Sequence, residues 1–229
     1  MSSGRKIILC SASLRRQQLL RGLGFSFDVR NGNVDESFPD DLKEENIALH
    51  LAEKKAGWFL KTISPGEILI TADTIVWLDD HVLNKPISKE EAVEMLVKLS
   101  DRAHIVFTGV CIADGNNKDL FYARSDVTFR KLTPEEIKYY VENYSPLDKA
   151  GAYGAQECLP VGMNPCSEQE KKFLKQIGKE ELVEQSINRA GNKQAIDMID
   201  RIEGSYFNVM GFPVVEFCEH FENFQRDIQ

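Results

Sequence analysis

The chain of 229 residues has no hydrophobic run long enough to cross a membrane, since nothing in it approaches the roughly 18 consecutive apolar residues of a span. Near its start, Arg5 and Lys6 are followed only by Ile7 to Cys10, too short for the hydrophobic region of a secretion signal. Cysteine is sparse. Cys10, Cys111, Cys158, Cys166 and Cys218 are odd in number and show neither C-x-x-C nor Cys/His zinc spacing, so reduced thiols and a cytoplasmic protein are expected. A surplus of basic residues is also missing. With 28 Lys and Arg against 36 Asp and Glu, the net charge of −8 argues against a nucleic-acid binder, as does the lack of aromatic–basic interleaving. It still permits a small anion in a locally basic pocket. There is no P-loop, no G-x-S-x-G elbow, no H-E-x-x-H, no internal repeat and no low-complexity tract. His50, His81, His104 and His220 are scattered and form no motif.

What is present suits an α/β protein. A chain of this length buries on the order of 70% of its unfolded surface, so it needs no covalent staples. Lys6–Cys10 is short and apolar and reads as a buried strand, followed by a helical face of Leu14, Leu19, Leu20 and Leu23. Phe25–Val29 alternates like a second strand, and the acidic stretch 33–43 reads as a loop. Asn46–Lys61 reads as a helix and Ile68–Leu78 as a strand interrupted by Asp73 and Thr74. Ser88-Lys89-Glu90-Glu91 has the pattern of a capping box opening a helix through Leu99. His104–Ala113 and Leu120–Phe129 flank Asp114-Gly115-Asn116-Asn117 as a hairpin, and Thr133-Pro134-Glu135-Glu136 opens another helix. A final helix is expected from about Val214. Irregular alternation with a hairpin predicts a mixed sheet.

Ser11-Ala12-Ser13-Leu14-Arg15-Arg16 stands where the first strand gives way to the first helix. Free N–H groups and the positive end of the helix dipole favour an anion there, and arginine adds bidentate donors matched to phosphate. An ordinary Ser cap with surface arginines is the plain alternative. Asp73 follows an apolar run, where a carboxylate is costly unless it meets a cleft, a metal or a partner; capping a turn is its other reading. Lys55 lies on the mostly apolar side of its helix, either functional or snorkelling. Lys85 and Glu36 are loop residues with solvated alternatives. Gly and Ala crowd the stretch Asp148 to Gln156, where backbone can approach a ligand or pack tightly, and the Gln156 amide suits a base edge.

The ordered set of motifs resembles the Maf family of nucleoside triphosphate pyrophosphatases. Ser11–Arg16 resembles its S-x-S-P-R-R, with Leu14 in place of Pro, and Glu36 matches its loop acid. Leu51–Ala56 resembles L-A-x-x-K-A, which points to Lys55 and not Lys54. Ala72–Val76 resembles A-D-T-I-V. Lys85-Pro86, Thr108-Gly109-Val110, Asp148–Gly154 and Gly204–Pro213 follow in family order. A segment of about 158–195 departs as an insertion, expected as short helices near 167–177 and 179–188 that cover a cleft, build a dimer contact or decorate the surface.

The resemblance implies an elongated, two-lobed, ITPase-like α/β fold with a mixed sheet and a central cleft, the whole chain forming one domain. It implies hydrolysis of dTTP, UTP or modified pyrimidine nucleotides to the monophosphate and pyrophosphate, with Mg²⁺ or Mn²⁺. A nucleotide-binding regulator of cell division without turnover is the alternative. Asp73 is expected as general base, with Glu36 and Asp73 as metal ligands. Ser11, Ser13, Arg15, Arg16, Lys55, Thr74, Lys85 and Gln156 are expected to bind substrate. Among them Arg16 is expected to clamp phosphate, and Arg15 to act with Thr74 and Gln156 in selecting the nucleotide, as in the dTTP/UTP branch. A homodimer is expected by analogy, with no nucleic acid or membrane as partner.

Overall fold

In the computed structural model, residues 4–187 and 196–226 are described. In chain order the elements are β1 (Lys6–Leu9), α1 (Leu14–Gly22), β2 (Asp28–Val29), α2 (Glu45–Phe59), β3 (Glu67–Leu78), β4 (His81–Leu83), α3 (Lys89–Leu99), β5 (Ala103–Ala113) and β6 (Lys118–Phe129). They continue as α4 (Pro134–Asn143), α5 (Ala155–Cys158), α6 (Glu168–Ile177), α7 (Glu181–Ile187), β7 (Ile199–Gly204), α8 (Tyr206–Val209) and α9 (Val214–Arg226). The strands hydrogen-bond in the order β2-β1-β3-β5-β6-β7, with β4 on β3. β1 is parallel to β2 and β3, whereas β4 on β3 and β7 on β6 are antiparallel, so the sheet is mixed and open.

The chain divides into two compact units, and β3, β5 and β6 lend residues to both. The first holds the chain up to Thr74, Thr108–Ala123 and the stretch from Gly211. Its core packs Ile8 and Cys10 with Ala52, Ala56 and Phe59 of α2, and with Leu69, Cys111 and Ala113. Phe25 makes edge contacts with Phe217 and Phe221 at 5.4 and 5.2 Å. That packing shortens the expected second strand: Phe25 N closes α1 on Leu20 O, and only Asp28 and Val29 pair with β1. Gly109 on β5 lets α2 come close, since a Cβ there would lie 2.4 Å from the Ala48 carbonyl oxygen.

The second unit holds Ile75–Phe107 and Arg124–Met210. Asp79 and Asp80 both take positive φ, 51° and 61°, which suits the two-residue hairpin joining β3 to β4. Thr133 and Glu136 form a capping box on α4 with Pro134 in its first turn. On α3 only half of the expected box forms. Ser88 Oγ accepts from Glu91 N, but Glu91 Oε2 turns to Ile87 N at 2.7 Å. The extra segment supplies α6 and α7, near the expected helices; residues 188–195 at its end lie outside the described residues. Ser167 and Glu170 cap α6, and Gly178 ends it in the left-handed region.

Candidate active site

The strand expected over Ile68–Leu78 forms, without the interruption at Asp73 and Thr74: β3 continues through both to Leu78. Alternation along a strand puts Thr71 and Asp73 on one face and Ala72 and Thr74 on the other. Each face has its own partner. Thr71 Oγ1 donates to the Ala52 carbonyl of α2 at 2.7 Å, and one helical turn further Lys55 Nζ pairs with Asp73 Oδ1. The Thr71 bond and the close approach at Gly109 set the height of α2, and so the reach of Lys55.

The Lys55 ammonium also donates to Glu36 Oε1 at 2.8 Å. One cation therefore gathers two carboxylates from separate elements, a loop and a strand. The site is asymmetric in exposure: the Asp73 side chain is 9% exposed and that of Glu36 47%. Lys54, which the pattern passed over, organises the same loop. Its Nζ binds Asp35 Oδ2 at 2.8 Å and the Ser37 carbonyl at 2.7 Å. The hydrogen bonds from Lys54 and Ser37 hold the Asp35 carboxyl well below the usual range. Two adjacent lysines thus pin three consecutive loop residues.

On the other face of β3, Arg16 fills its guanidinium with protein acceptors. Nε donates to the Gly211 carbonyl at 2.8 Å, Nη1 to the Ala72 carbonyl at 2.7 Å and to Ser11 Oγ at 3.4 Å, and Nη2 to Thr74 Oγ1 at 2.9 Å. Burial lowers the Arg16 pKa, opposed by the nearby Asp73 charge. Thr74 Oγ1 also meets Thr108 Oγ1 at 3.0 Å. Arg16, expected as the phosphate clamp, thus reaches the hydroxyl of Thr74, one of the residues expected to select the nucleotide. Arg15 stands half-buried in the first turn of α1. Ser13 Oγ caps that helix through Arg16 N at 3.4 Å, and Ser11 Oγ accepts from Ser13 N at 3.2 Å.

Lys85 and Gln156 belong to the second unit. Lys85 is exposed beyond β4, beside buried Pro86. Gln156 lies on α5, and its Oε1 is buried with no hydrogen-bond partner among the described residues.

Among the described residues no group of three His, Cys, Asp or Glu side chains converges as a closed metal cage. Glu36 and Asp73 nevertheless fit Mg²⁺, which takes one or two protein carboxylates and fills its shell with water and phosphate oxygens.

The model of the Maf-like protein family matches residues 6–165. The chain belongs to this family. The matched stretch contains every candidate site residue from Ser11 to Gln156 and stops before α6. A relative from Bacteroides thetaiotaomicron, named dTTP/UTP pyrophosphatase, is 42% identical over 210 residues, covering 91% of each chain. Another of that name from Parabacteroides distasonis is 40% identical over 220 residues, covering 96% of each. A solved dITP/XTP pyrophosphatase from Mycobacterium abscessus matches 56% of this chain and 75% of its own, at 13% identity and a TM-score of 0.34, too slight a likeness to argue from.

Proposed function

We propose that this Maf-family chain is a nucleoside triphosphate pyrophosphatase that converts dTTP and UTP to the monophosphate and pyrophosphate. The observation that carries the chemistry is the Lys55 ammonium shared by Glu36 and Asp73. The choice of substrate rests on the relatives named dTTP/UTP pyrophosphatase.

Asp73 is the general base, orienting a water for attack on a phosphoryl group. Carboxylates are weak bases, so most of its effect comes from positioning, which the β3 backbone and Lys55 provide. Lys55 offsets the repulsion between the two carboxylates and presents positive charge to a phosphate oxygen. Glu36 and Asp73 would hold Mg²⁺, which when bound supplies Lewis-acid charge to phosphate oxygens. Arg15, with the hydroxyls of Ser11 and Ser13, contributes phosphate contacts at the start of α1. Arg16 acts through the residues it holds. Lys85 and Gln156 take a phosphate and a base contact by the family pattern.

The test is pyrophosphate release from dTTP, UTP, CTP and purine triphosphates with Mg²⁺. Turnover of dTTP and UTP at least about tenfold above the others is expected. A protein that is inert toward all of them yet thermally stabilised by them would be a nucleotide-binding regulator instead.

A further inference from the structure

Tyr140 is wholly buried in α4, with its ring stacked on Tyr144 at 4.8 Å. Its hydroxyl accepts from Gly154 N at 3.0 Å and donates to Glu157 Oε2 at 2.5 Å. Gly154 precedes α5 and Glu157 lies within it, so one hydroxyl ties together both sides of the turn that carries Gln156. Burial raises the phenol well above its ordinary pKa, which keeps it a donor. The other Glu157 oxygen lies 3.4 Å from Lys149 Nζ. Lys149, only 4% exposed, also donates to Asp148 Oδ1 at 2.9 Å and to the Ser145 carbonyl. Two hydrogen bonds and an ion pair thus commit the Lys149 ammonium to the protein.

The packing extends to Gln156. A Cβ on Gly154 would lie 2.9 Å from Lys149 Cε, 3.0 Å from Glu157 Oε2 and 3.1 Å from Gln156 Nε2. The amide nitrogen is thus seated beside the Lys149–Glu157 pair, while Oε1 is buried and unsatisfied. A buried acceptor without a donor is costly and suits a ligand that brings an N–H. The imide N3–H of uracil and thymine is such a donor; N3 of cytosine is an acceptor.

We propose that Tyr140, with Glu157 and Lys149, is a positioning residue that holds the Gln156 Oε1 as an acceptor and thereby sets the preference for uracil and thymine over cytosine. The proposal rests on the reading of Gln156 as the base-contacting residue. Tyr140 touches no substrate; it acts through the Gly154–Glu157 turn.

The experiment compares kcat and KM for UTP and CTP in the full chain, in Tyr140→Phe, in Gln156→Ala and in the double variant. Gln156→Ala should lower the UTP:CTP ratio of kcat/KM by about tenfold or more, and Tyr140→Phe by about three- to tenfold through KM for UTP, with kcat within about twofold. In the Gln156→Ala background, Tyr140→Phe should change the ratio by less than about twofold, because both act on one contact. Equal losses for UTP and CTP in Tyr140→Phe, or a ratio loss that persists without Gln156, would overturn the proposal. An unchanged ratio in Gln156→Ala removes the reading of Gln156 and the proposal with it, whereas absence of pyrophosphate release by the unaltered chain removes the proposed function itself. If Tyr140→Phe does not fold, Glu157→Gln decides. It keeps an acceptor for the phenol but loses the charge facing Lys149, and should lower the ratio in the same direction; an unchanged ratio there also overturns the proposal.

Discussion

Arg16 Nη2 donates to Thr74 Oγ1 across 2.9 Å, and the same guanidinium holds the carbonyls of Ala72 and Gly211. The two residues flanking Asp73 are therefore fixed by one side chain reaching from α1. A planar fork with donors in fixed directions suits this arrangement, and a lysine ammonium does not.

Arg16→Lys should consequently lose stability as well as activity. Breaking partly buried, charge-assisted hydrogen bonds costs about 1.5–3 kcal/mol each, part of which lysine recovers, so a net loss of roughly 2 kcal/mol is expected. Urea unfolding measures it. A stability equal to that of the unaltered chain, with only KM for the triphosphate raised, would return Arg16 to the role of phosphate ligand.

Asp73→Asn should lower kcat by at least about 100-fold while the protein stays folded, the low end for removing a general base. The comparison is Thr71→Val, two residues earlier on the same face of β3. That change removes the bond to the Ala52 carbonyl, leaves the carbonyl buried, and should cost about 1–2 kcal/mol of stability with a smaller effect on kcat. Near-normal pyrophosphate release by Asp73→Asn would take the aspartate out of the reaction.

Much of this arrangement was legible in the sequence because it rests on local chemistry. Ser13, Thr133 and Ser167 announce helix starts that form as expected. The apolar run before Asp73 marks a buried strand, and the Lys55 position shares its helix face with core residues. What escaped is tertiary. Nothing near Arg16 tells that its guanidinium will find Thr74, because the acceptors come from β3 and from Gly211, far along the chain. Lys54 looks like any exposed helix lysine until the loop folds back onto it. Tyr140 resembles a core aromatic, and only the Gly154 turn reveals what its hydroxyl does.

Glu36→Gln should weaken binding of Mg²⁺ without unfolding the protein, since its side chain is half exposed and its partner Lys55 keeps Asp73. Calorimetric titration of the protein with Mg²⁺ and a non-hydrolysable UTP analogue provides a readout independent of turnover. A loss of about tenfold or more in apparent metal affinity is expected, in the range seen when coordination is perturbed. Chelation by EDTA should abolish pyrophosphate release and excess Mg²⁺ restore it. Unaltered affinity in Glu36→Gln would leave Asp73 to hold the ion alone.

His104 makes acid stability a further test. Its imidazole is buried edge-on to Phe129 and Tyr153, with Nε2 2.7 Å from the Tyr153 hydroxyl oxygen. Burial pushes its pKa down to about 3. In the unfolded chain a histidine titrates near 6.5, so between pH 6.5 and 3 the unfolded state binds one proton that the folded state refuses. Stability then rises with pH across that window and is lost as the solution is acidified through it; above it this group contributes no slope. The contribution is roughly 1.4 kcal/mol per pH unit, enough to stand out against the 5–15 kcal/mol that typically stabilises a domain. His104→Asn removes the titration and keeps a polar partner for Tyr153. Urea midpoints at pH 7, 6 and 5 should fall less steeply for the variant than for the unaltered chain, although the variant starts lower at pH 7. Parallel slopes would mean that acid enters the fold through other groups.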